Sequence, residues 1–214
     1  MRLEYIFDTV CPWCWIGKRR FENALALRPG TRVDMSWRPF MLNLDVPLEG
    51  VDRQSYMERR FGGSRLERMH GAIVSLGRTV GIEFDFRRVQ RTPNSLHSHR
   101  LVRFAGAFGL QSETVEALYR AYFCEGRDIG SLGELVLLGG EVGLPRDELG
   151  AYLGSDADVA AMMNENARAH RLGVNGVPCL ILDGRYALAG AQESEIMLRL
   201  IDAARETAGE ETLG

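Results

Sequence analysis

The start of the chain combines two kinds of hydrophobic pattern. Residues 2–8 form a mostly apolar run, which is typical of a buried strand, and residues 32–37 alternate apolar and polar side chains as a half-buried strand does. Between them, residues 12–28 repeat apolar side chains at helical spacing. This pattern predicts a β-α-β unit.

The end of the chain carries the signature of a hairpin followed by a helix. Residues 179–182 and 186–188 are short apolar runs on either side of Asp183-Gly184, a pair of residues that favours a tight turn. Residues 193–207 then form an amphipathic helix. The sequence therefore predicts a closing β-β-α unit.

The long middle of the chain is different, because its apolar residues recur at helical spacing throughout. We therefore expect an α/β protein with two parts. Residues 1–53 and 173–214 form one discontinuous domain, and residues 54–172 form an all-helical insertion.

Two cysteines separated by two residues lie where the first strand meets the first helix. Pro12 suits the first helical position because it has no backbone N–H to leave unpaired, so Cys11 becomes the N-cap. Free backbone N–H groups and the positive end of the helix dipole stabilise a thiolate there. We predict that Cys11 is a nucleophile at the surface end of the helix. Cys14, one turn deeper on the same face, is predicted to be the sheltered thiol that resolves a mixed disulfide.

Two neighbours of this pair each have two interpretations. Trp13, on the helix tip, either contributes to a substrate-docking surface or packs against the protein. Asp8, at the end of the first strand, either bonds the turn and caps the helix or accepts a proton from Cys14 during resolution.

Cysteine pairs of this spacing also occur in structural zinc sites. Such a site normally needs a second pair of ligands, and the remaining cysteines, Cys124 and Cys179, are isolated in the sequence. We therefore expect redox chemistry and no metal site. We interpret Cys124 and Cys179 as structural, with a third redox thiol at position 179 as the alternative.

Composition and charge argue against several classes of function. The chain has 214 residues, 45% hydrophobic side chains and a formal net charge of −3, as an ordinary globular protein does. This charge is not typical of a nucleic-acid-binding protein, and we expect the arginines at 87, 88, 91, 100 and 103 to form a solvated face. No apolar run approaches the roughly 20 residues of a membrane span and no signal-peptide pattern is present, so we expect no membrane association and a cytoplasmic location.

An ordered set of short motifs extends along nearly the whole chain. In chain order they are Asp8-Thr9-Val10-Cys11-Pro12-Trp13-Cys14, Trp37-Arg38-Pro39-Phe40, Asn94-Ser95 with His99-Arg100, Tyr122-Phe123 with Glu125-Gly126-Arg127-Asp128-Ile129, Gly176-Val177-Pro178, and Gly190-Ala191-Gln192. Together they closely resemble the FrnE-like branch of the DsbA thiol oxidoreductases. The resemblance implies a thioredoxin fold interrupted by a large helical insertion, and a dithiol-disulfide oxidoreductase or isomerase activity.

The resemblance also implies roles for residues distant from the cysteines. Pro178 corresponds to the cis-proline that faces the cysteine pair, and the backbone of Val177 would offer hydrogen-bonding groups to an extended substrate. His99 and Asn94 are candidates for substrate or glutathione contacts. Gln192 lies at the start of the last helix, where free backbone N–H groups can hold a carboxylate such as that of glutathione.

A second class of function shares this architecture. The 2-hydroxychromene-2-carboxylate isomerases and kappa-class glutathione transferases commonly carry a Ser at the nucleophile position and activate glutathione instead. Because Cys11 and Cys14 are both present here, we expect exchange with a protein or small-molecule thiol or disulfide, without a bound cofactor and with glutathione as a candidate co-substrate. A binding module with a regulatory cysteine pair is a third interpretation. The sequence leaves both a monomer and a homodimer open.

Overall fold

The computed structural model of the protein describes residues 1–211 and contains a mixed sheet covered by helices. The elements are, in chain order, β1 (Arg2–Phe7), α1 (Pro12–Ala26), β2 (Asp34–Pro39), β3 (Val51–Asp52), α2 (Arg53–Phe61), α3 (Gly63–Thr79), β4 (Arg91–Thr92), α4 (Leu96–Ala105), α5 (Gln111–Arg120), α6 (Leu132–Glu141), α7 (Arg146–Leu153), α8 (Val159–Arg171), β5 (Cys179–Leu182), β6 (Tyr186–Ala189) and α9 (Ser194–Glu211). A 3₁₀ turn at Gly106–Phe108 and a π-turn at Ala121–Glu125 follow α4 and α5.

The main sheet has the strand order β2-β1-β5-β6. Strand β1 pairs in parallel with β2 and antiparallel with β5, so that Tyr5 lies between Trp37 and Leu180. Because successive side chains of a strand point to opposite faces, Leu3, Tyr5 and Phe7 enter the larger core while Ile6 enters a smaller one. Both faces of β1 are therefore buried, as its apolar sequence predicts.

Helices cover the two faces of this sheet. The buried side of α1 packs with α9 on the face of Leu3 and Tyr5, through Phe21, Met197 and Ile201. On the other face, Ala169 of α8 belongs to the same cluster as Ile6. The sheet thus fixes where α1 begins, and with it the position of the cysteine pair.

The hairpin predicted at Asp183-Gly184 is present. Both residues have positive φ angles, 49° and 69°, and the Arg185 N–H donates to the Leu182 carbonyl oxygen at 3.0 Å. These are the features of a tight turn whose twist matches antiparallel strands. The turn joins β5 to β6, as the sequence indicates.

The segment between β2 and β5 is helical apart from one short strand pair. Strand β3 pairs antiparallel with β4, with Val51 opposite Thr92. Two-residue strands have no alternation to detect, which explains why the sequence pattern does not reveal them. The division of the chain at residues 53/54 and 172/173 stays a prediction, and residues 212–214 of the predicted discontinuous domain lie outside the described residues. Within residues 1–211, no helix combines the length and the apolar character needed to cross a membrane.

The expectation of a wholly solvated basic face is wrong for Arg100, which is 0% exposed. Its guanidinium donates to the carbonyl oxygens of Tyr152 at 2.6 Å and Leu153 at 3.0 Å, and also to those of Ser155 and Ala157. The last carbonyls of a helix have no partner within that helix, and an arginine side chain can satisfy them. Arg100 therefore ties the C-terminal end of α7 to α4, an arrangement that depends on residues far away in sequence.

Candidate active site

Helix α1 begins at Pro12, with Cys11 as its N-cap in an extended backbone conformation. The Cys14 N–H donates to the Cys11 carbonyl oxygen at 3.1 Å, which places the two cysteines within the first turn. Cys11 is therefore the N-cap of α1, as predicted, and Cys14 lies one turn further along. The Cys11 side chain makes no hydrogen bond to the backbone N–H groups of the helix, so the expected contact with those free N–H groups is absent.

Cys14 lies in the protein core. It is 0% exposed, and the Tyr5 hydroxyl donates to its carbonyl oxygen at 2.7 Å. Burial raises the pKa of the Cys14 thiol well above its ordinary value, and the interaction with the Cys11 side chain adds to the rise. Cys14 is thus sheltered and protonated at neutral pH.

Cys11 is less exposed than we expect from its position at the tip of a helix. The residue is only 4% exposed, because the helices that follow β2 extend over the start of α1. Its thiol donates to the Val177 carbonyl oxygen at 3.6 Å. The prediction that the Cys11 thiol lies at the surface is therefore wrong. A substrate can reach this thiol only through a cavity.

Val177 and Pro178 lie directly beside the cysteine pair. The peptide bond between them is cis, as the resemblance implies. Gly17 of α1 allows this close approach, because a Cβ there would lie 2.9 Å from the Tyr5 hydroxyl and 3.0 Å from Pro178 Cγ. A glycine in the first helix is therefore what lets this segment reach the active site.

Asp8 is completely buried beneath the first turn of α1. Its Oδ2 atom accepts a hydrogen bond from the Leu42 N–H at 2.7 Å, and its Oδ1 atom accepts one from the Val10 N–H at 3.4 Å. Of the two interpretations of Asp8, bonding of the turn is present in the structure. Its role as a proton acceptor stays a prediction.

The three residues that we expect to contact a ligand, His99, Asn94 and Gln192, lie in different parts of the structure. His99 is buried, with Nε2 3.3 Å from Oδ1 of Asp8, so it contacts the acid and not the cavity at Cys11. The Asn94 side chain donates to the Val46 carbonyl oxygen at 2.7 Å and accepts from the Leu96 N–H at 3.0 Å. The Gln192 amide donates to the Ala189 carbonyl oxygen at 2.8 Å. The structure brings His99 to Asp8, but places neither Asn94 nor Gln192 on the cavity wall.

The cavity at Cys11 has a volume of about 290 Å³. Pro12 and Trp13 form its wall on the side of α1, and Trp13 is half-buried there. Helices α2 and α3 form the opposite wall, through residues such as Tyr56 and Ile73. Trp13 therefore lies where a molecule entering the cavity would touch it, and it also packs against the core.

Two polar residues of this cavity, Arg53 and His70, have no distinguishing signal in the sequence. Arg53 begins α2 and is 9% exposed, while His70 belongs to α3. Burial, assisted by the charge of Arg53, lowers the pKa of His70 to about 4, so this imidazole is neutral at physiological pH. An arginine or histidine in a mostly polar helix resembles a solvated residue, and no local signal distinguishes these two.

The other two cysteines lie away from the cavity, and all four cysteines are free thiols. Burial raises the pKa of Cys179 and raises that of Cys124 to about 11. Both are therefore protonated at neutral pH, as structural thiols are. Within the described part of the chain, no group of three or more His, Cys, Asp or Glu side chains is arranged to hold a metal ion.

Comparisons with known proteins identify the family. The model of the DSBA-like thioredoxin domain matches residues 2–202. The uncharacterized protein YwbO of Bacillus subtilis is 28% identical over 144 residues, 67% of either chain. The crystal structure of a probable DsbA oxidoreductase from Streptomyces coelicolor is 28% identical, has a TM-score of 0.87 and covers 96% of this chain and 90% of that chain.

A more distant structure supports the fold. The cytosolic disulfide reductase DsbM from Pseudomonas aeruginosa, solved with GSH, is 21% identical, has a TM-score of 0.65 and covers 100% of both chains. The predicted thioredoxin fold with helices inserted between β2 and β5 is confirmed, and this chain belongs to the family of DSBA-like thioredoxin domains.

Proposed function

We propose that this member of a thiol oxidoreductase family is a dithiol-disulfide oxidoreductase, with Cys11 as nucleophile and Cys14 as resolving thiol. The observation that carries the proposal is the contrast between the two residues. The Cys11 side chain forms part of a cavity wall at the N-terminus of α1, whereas Cys14, one turn along, has no exposed surface. One thiol can meet a substrate, and the other can meet only the first thiol.

The reaction takes place in two steps. The Cys11 thiolate attacks one sulfur of a substrate disulfide, the substrate S–S bond breaks, and the leaving thiolate takes up a proton. The Cys14 thiolate then attacks the Cys11 sulfur and releases the second half of the substrate as a thiol. The substrate gains two electrons and the cysteine pair loses two. Two equivalents of a monothiol such as glutathione reduce the pair again, and the reverse sequence oxidises a substrate dithiol.

The second step requires Cys14 to lose its proton, although burial favours the protonated form. Asp8 is the proposed acceptor, since it is a buried carboxylate next to the first turn of α1. His99 lies between Asp8 and a second cavity of about 170 Å³, with a more polar wall that includes Arg38 and Glu165. This arrangement offers the proton a path away from the apolar cavity at Cys11.

The proposal also covers the reductant and the cellular location of the reaction. Glutathione enters as a reductant and not as a bound cofactor, and the reaction is expected in the cytoplasm. A glutathione-dependent isomerase, the alternative from the resemblance, needs no second thiol, so the sheltered Cys14 favours disulfide exchange over it.

Intact-mass measurement after treatment of the reduced protein with glutathione disulfide tests the mechanism. Cys14→Ser is expected to accumulate one glutathione on Cys11, because nothing can resolve the mixed disulfide, while the unaltered protein proceeds to the Cys11–Cys14 disulfide. Cys11→Ser is expected to form neither product. Cys124→Ser is the matched control and behaves as the unaltered protein. Disulfide exchange by the Cys11→Ser protein at an undiminished rate would refute the proposal.

A further inference from the structure

The cavity at Cys11 contains a charge that disulfide exchange does not require. Arg53 is 9% exposed, and one of its nitrogens donates to the Tyr122 hydroxyl at 3.2 Å. Among the side chains that the structure describes, those of residues 1–207, no carboxylate lies within 4.0 Å of its guanidinium, and its other nitrogens donate to no protein group. Burial of a charge is costly unless an opposite charge or hydrogen bonds compensate it. Arg53 is therefore a buried cation without an anionic partner.

Two further polar atoms at this cavity lack hydrogen-bond partners in the described protein. They are Oγ1 of Thr92, whose residue is 2% exposed, and Nε2 of His70. Both residues line the cavity. Few buried polar atoms of native proteins remain unpaired, and each requires an explanation. A ligand in the cavity would satisfy all three groups at once.

Most of the remaining wall is apolar and includes flat aromatic surface. The His70 ring stacks on Phe86 with centroids 4.2 Å apart, and the guanidinium of Arg53 lies 5.7 Å from the centroid of the same Phe86 ring. Ile73 and Met69 continue the apolar surface. At about 290 Å³, the cavity lies just below the range of about 300–1,000 Å³ that is usual for small-molecule sites, so it suits a small molecule and not a segment of a protein.

We propose that this cavity binds the substrate, which is a small disulfide with an apolar, aromatic-sized body and a carboxylate that pairs with Arg53. This inference rests on the proposed function and names its substrate class. The carboxylate accepts hydrogen bonds from the free nitrogens of Arg53, the body packs on Phe86 and Ile73, and one sulfur of the substrate lies against Cys11. Electrons and atoms balance as in the two steps above: the substrate is reduced to two thiols, and Cys11 and Cys14 become a disulfide that two equivalents of a monothiol reduce again.

Two aromatic disulfides that differ in charge test this proposal. The probes are 5,5′-dithiobis(2-nitrobenzoate), which carries carboxylates, and 4,4′-dithiodipyridine, which is neutral. Stopped-flow absorbance gives the single-turnover rate constant of the reduced protein with each probe. Subtracting the rate of the Cys11→Ser protein removes the contribution of the other thiols.

The critical variant is Arg53→Gln, with Arg59→Gln as its matched control. Arg59 belongs to the same helix and is exposed, but it does not line the cavity. Because hydrogen bonds to charged groups are stronger than neutral ones, Arg53→Gln is expected to slow the reaction with the carboxylate probe about tenfold or more. The rate with the neutral probe should change less than about threefold, and Arg59→Gln should alter neither rate by more than that. Arg60→Gln, at an exposed position of the cavity wall, is a second variant that should fold normally and shift the ratio of the two rates in the same direction, by a smaller factor.

The outcomes separate the two proposals. If both probes react through Cys11 but Arg53→Gln changes their rates equally or not at all, the substrate proposal is wrong and the exchange function stands. If neither probe reacts through Cys11 and glutathione disulfide forms no adduct with the Cys14→Ser protein, the exchange function itself fails, and the substrate proposal fails with it.

Discussion

The two sides of Cys11 differ in how deeply their side chains are buried and in how completely their polar groups are hydrogen-bonded. On the side of the sheet, Tyr5 and Cys14 are fully buried, and the Tyr5 hydroxyl has a hydrogen-bond partner. On the opposite side, α2 buries only Arg53 and Tyr56, and α3 buries only Ile73 and Gly77. The unpaired polar atoms of Thr92 and His70 are on this second side. The sheet therefore fixes the position of Cys11, whereas the helices opposite it leave polar groups that the proposed substrate would satisfy.

Two glycine substitutions, one on each side of Cys11, are expected to change the free energy of unfolding in opposite directions. Gly17→Ala places a methyl group against the Tyr5 hydroxyl and Pro178, so we expect a loss of about 1–3 kcal/mol in the free energy of unfolding and slower exchange at Cys11. Gly71→Ala, inside α3, meets no heavy atom within 4 Å and should gain about 0.5–1 kcal/mol through higher helix propensity. Chemical denaturation measures both values. Equal destabilisation by the two substitutions would mean that α3 is packed as tightly as α1.

The pH dependence of stability reports on the burial of Cys14, on the side of the sheet. An unfolded Cys14 thiol has a pKa near 9.0, and burial in the folded protein raises it well above that value. Below that pH both states keep the proton and stability is unaffected. Above it the unfolded chain binds fewer protons, so the reduced protein loses up to about 1.4 kcal/mol per pH unit until the pKa of the folded state is reached.

Urea unfolding at pH about 8 and about 10, in the presence of a reductant, measures this loss. Tyr5, Tyr119, Cys124 and Cys179 also have raised pKa values, so Cys14→Ala isolates the effect of Cys14. The loss between the two pH values should be smaller in Cys14→Ala than in the unaltered protein. The same loss in both proteins would show that Cys14 titrates normally and is not sheltered.

The sequence predicts the parts of the site that depend on neighbouring residues. Pro12 marks the first position of α1, Cys11 becomes its N-cap, and Asp183-Gly184 makes the turn between β5 and β6. In each case the conformational preference of one or two residues determines the local structure. The cis state of the Val177–Pro178 bond follows from the motif resemblance, since a single X-Pro bond does not indicate its isomer.

The parts that the sequence does not predict depend on contacts between distant segments. Arg100 is buried because its guanidinium donates to the last carbonyl oxygens of α7. These carbonyls lie more than fifty positions away along the chain, so no local pattern indicates the contact. Cys11 is enclosed because α2 and α3 form the other wall of its cavity, and Arg53 of α2 is buried there without an anionic partner. The pairing of Asp8 with His99 likewise joins two elements whose spacing in sequence carries no signal.

Competition between the thiols for a small alkylating agent shows which sulfur is the nucleophile. Reduced protein is treated with a limiting amount of iodoacetamide, and peptide mass spectrometry locates the modified cysteine. Cys124 is more exposed than Cys11, but burial and nearby carboxylates raise its pKa to about 11. We expect Cys11 to be alkylated first and Cys14 to stay unmodified. Modification of Cys14 or Cys124 before Cys11 would contradict this expectation.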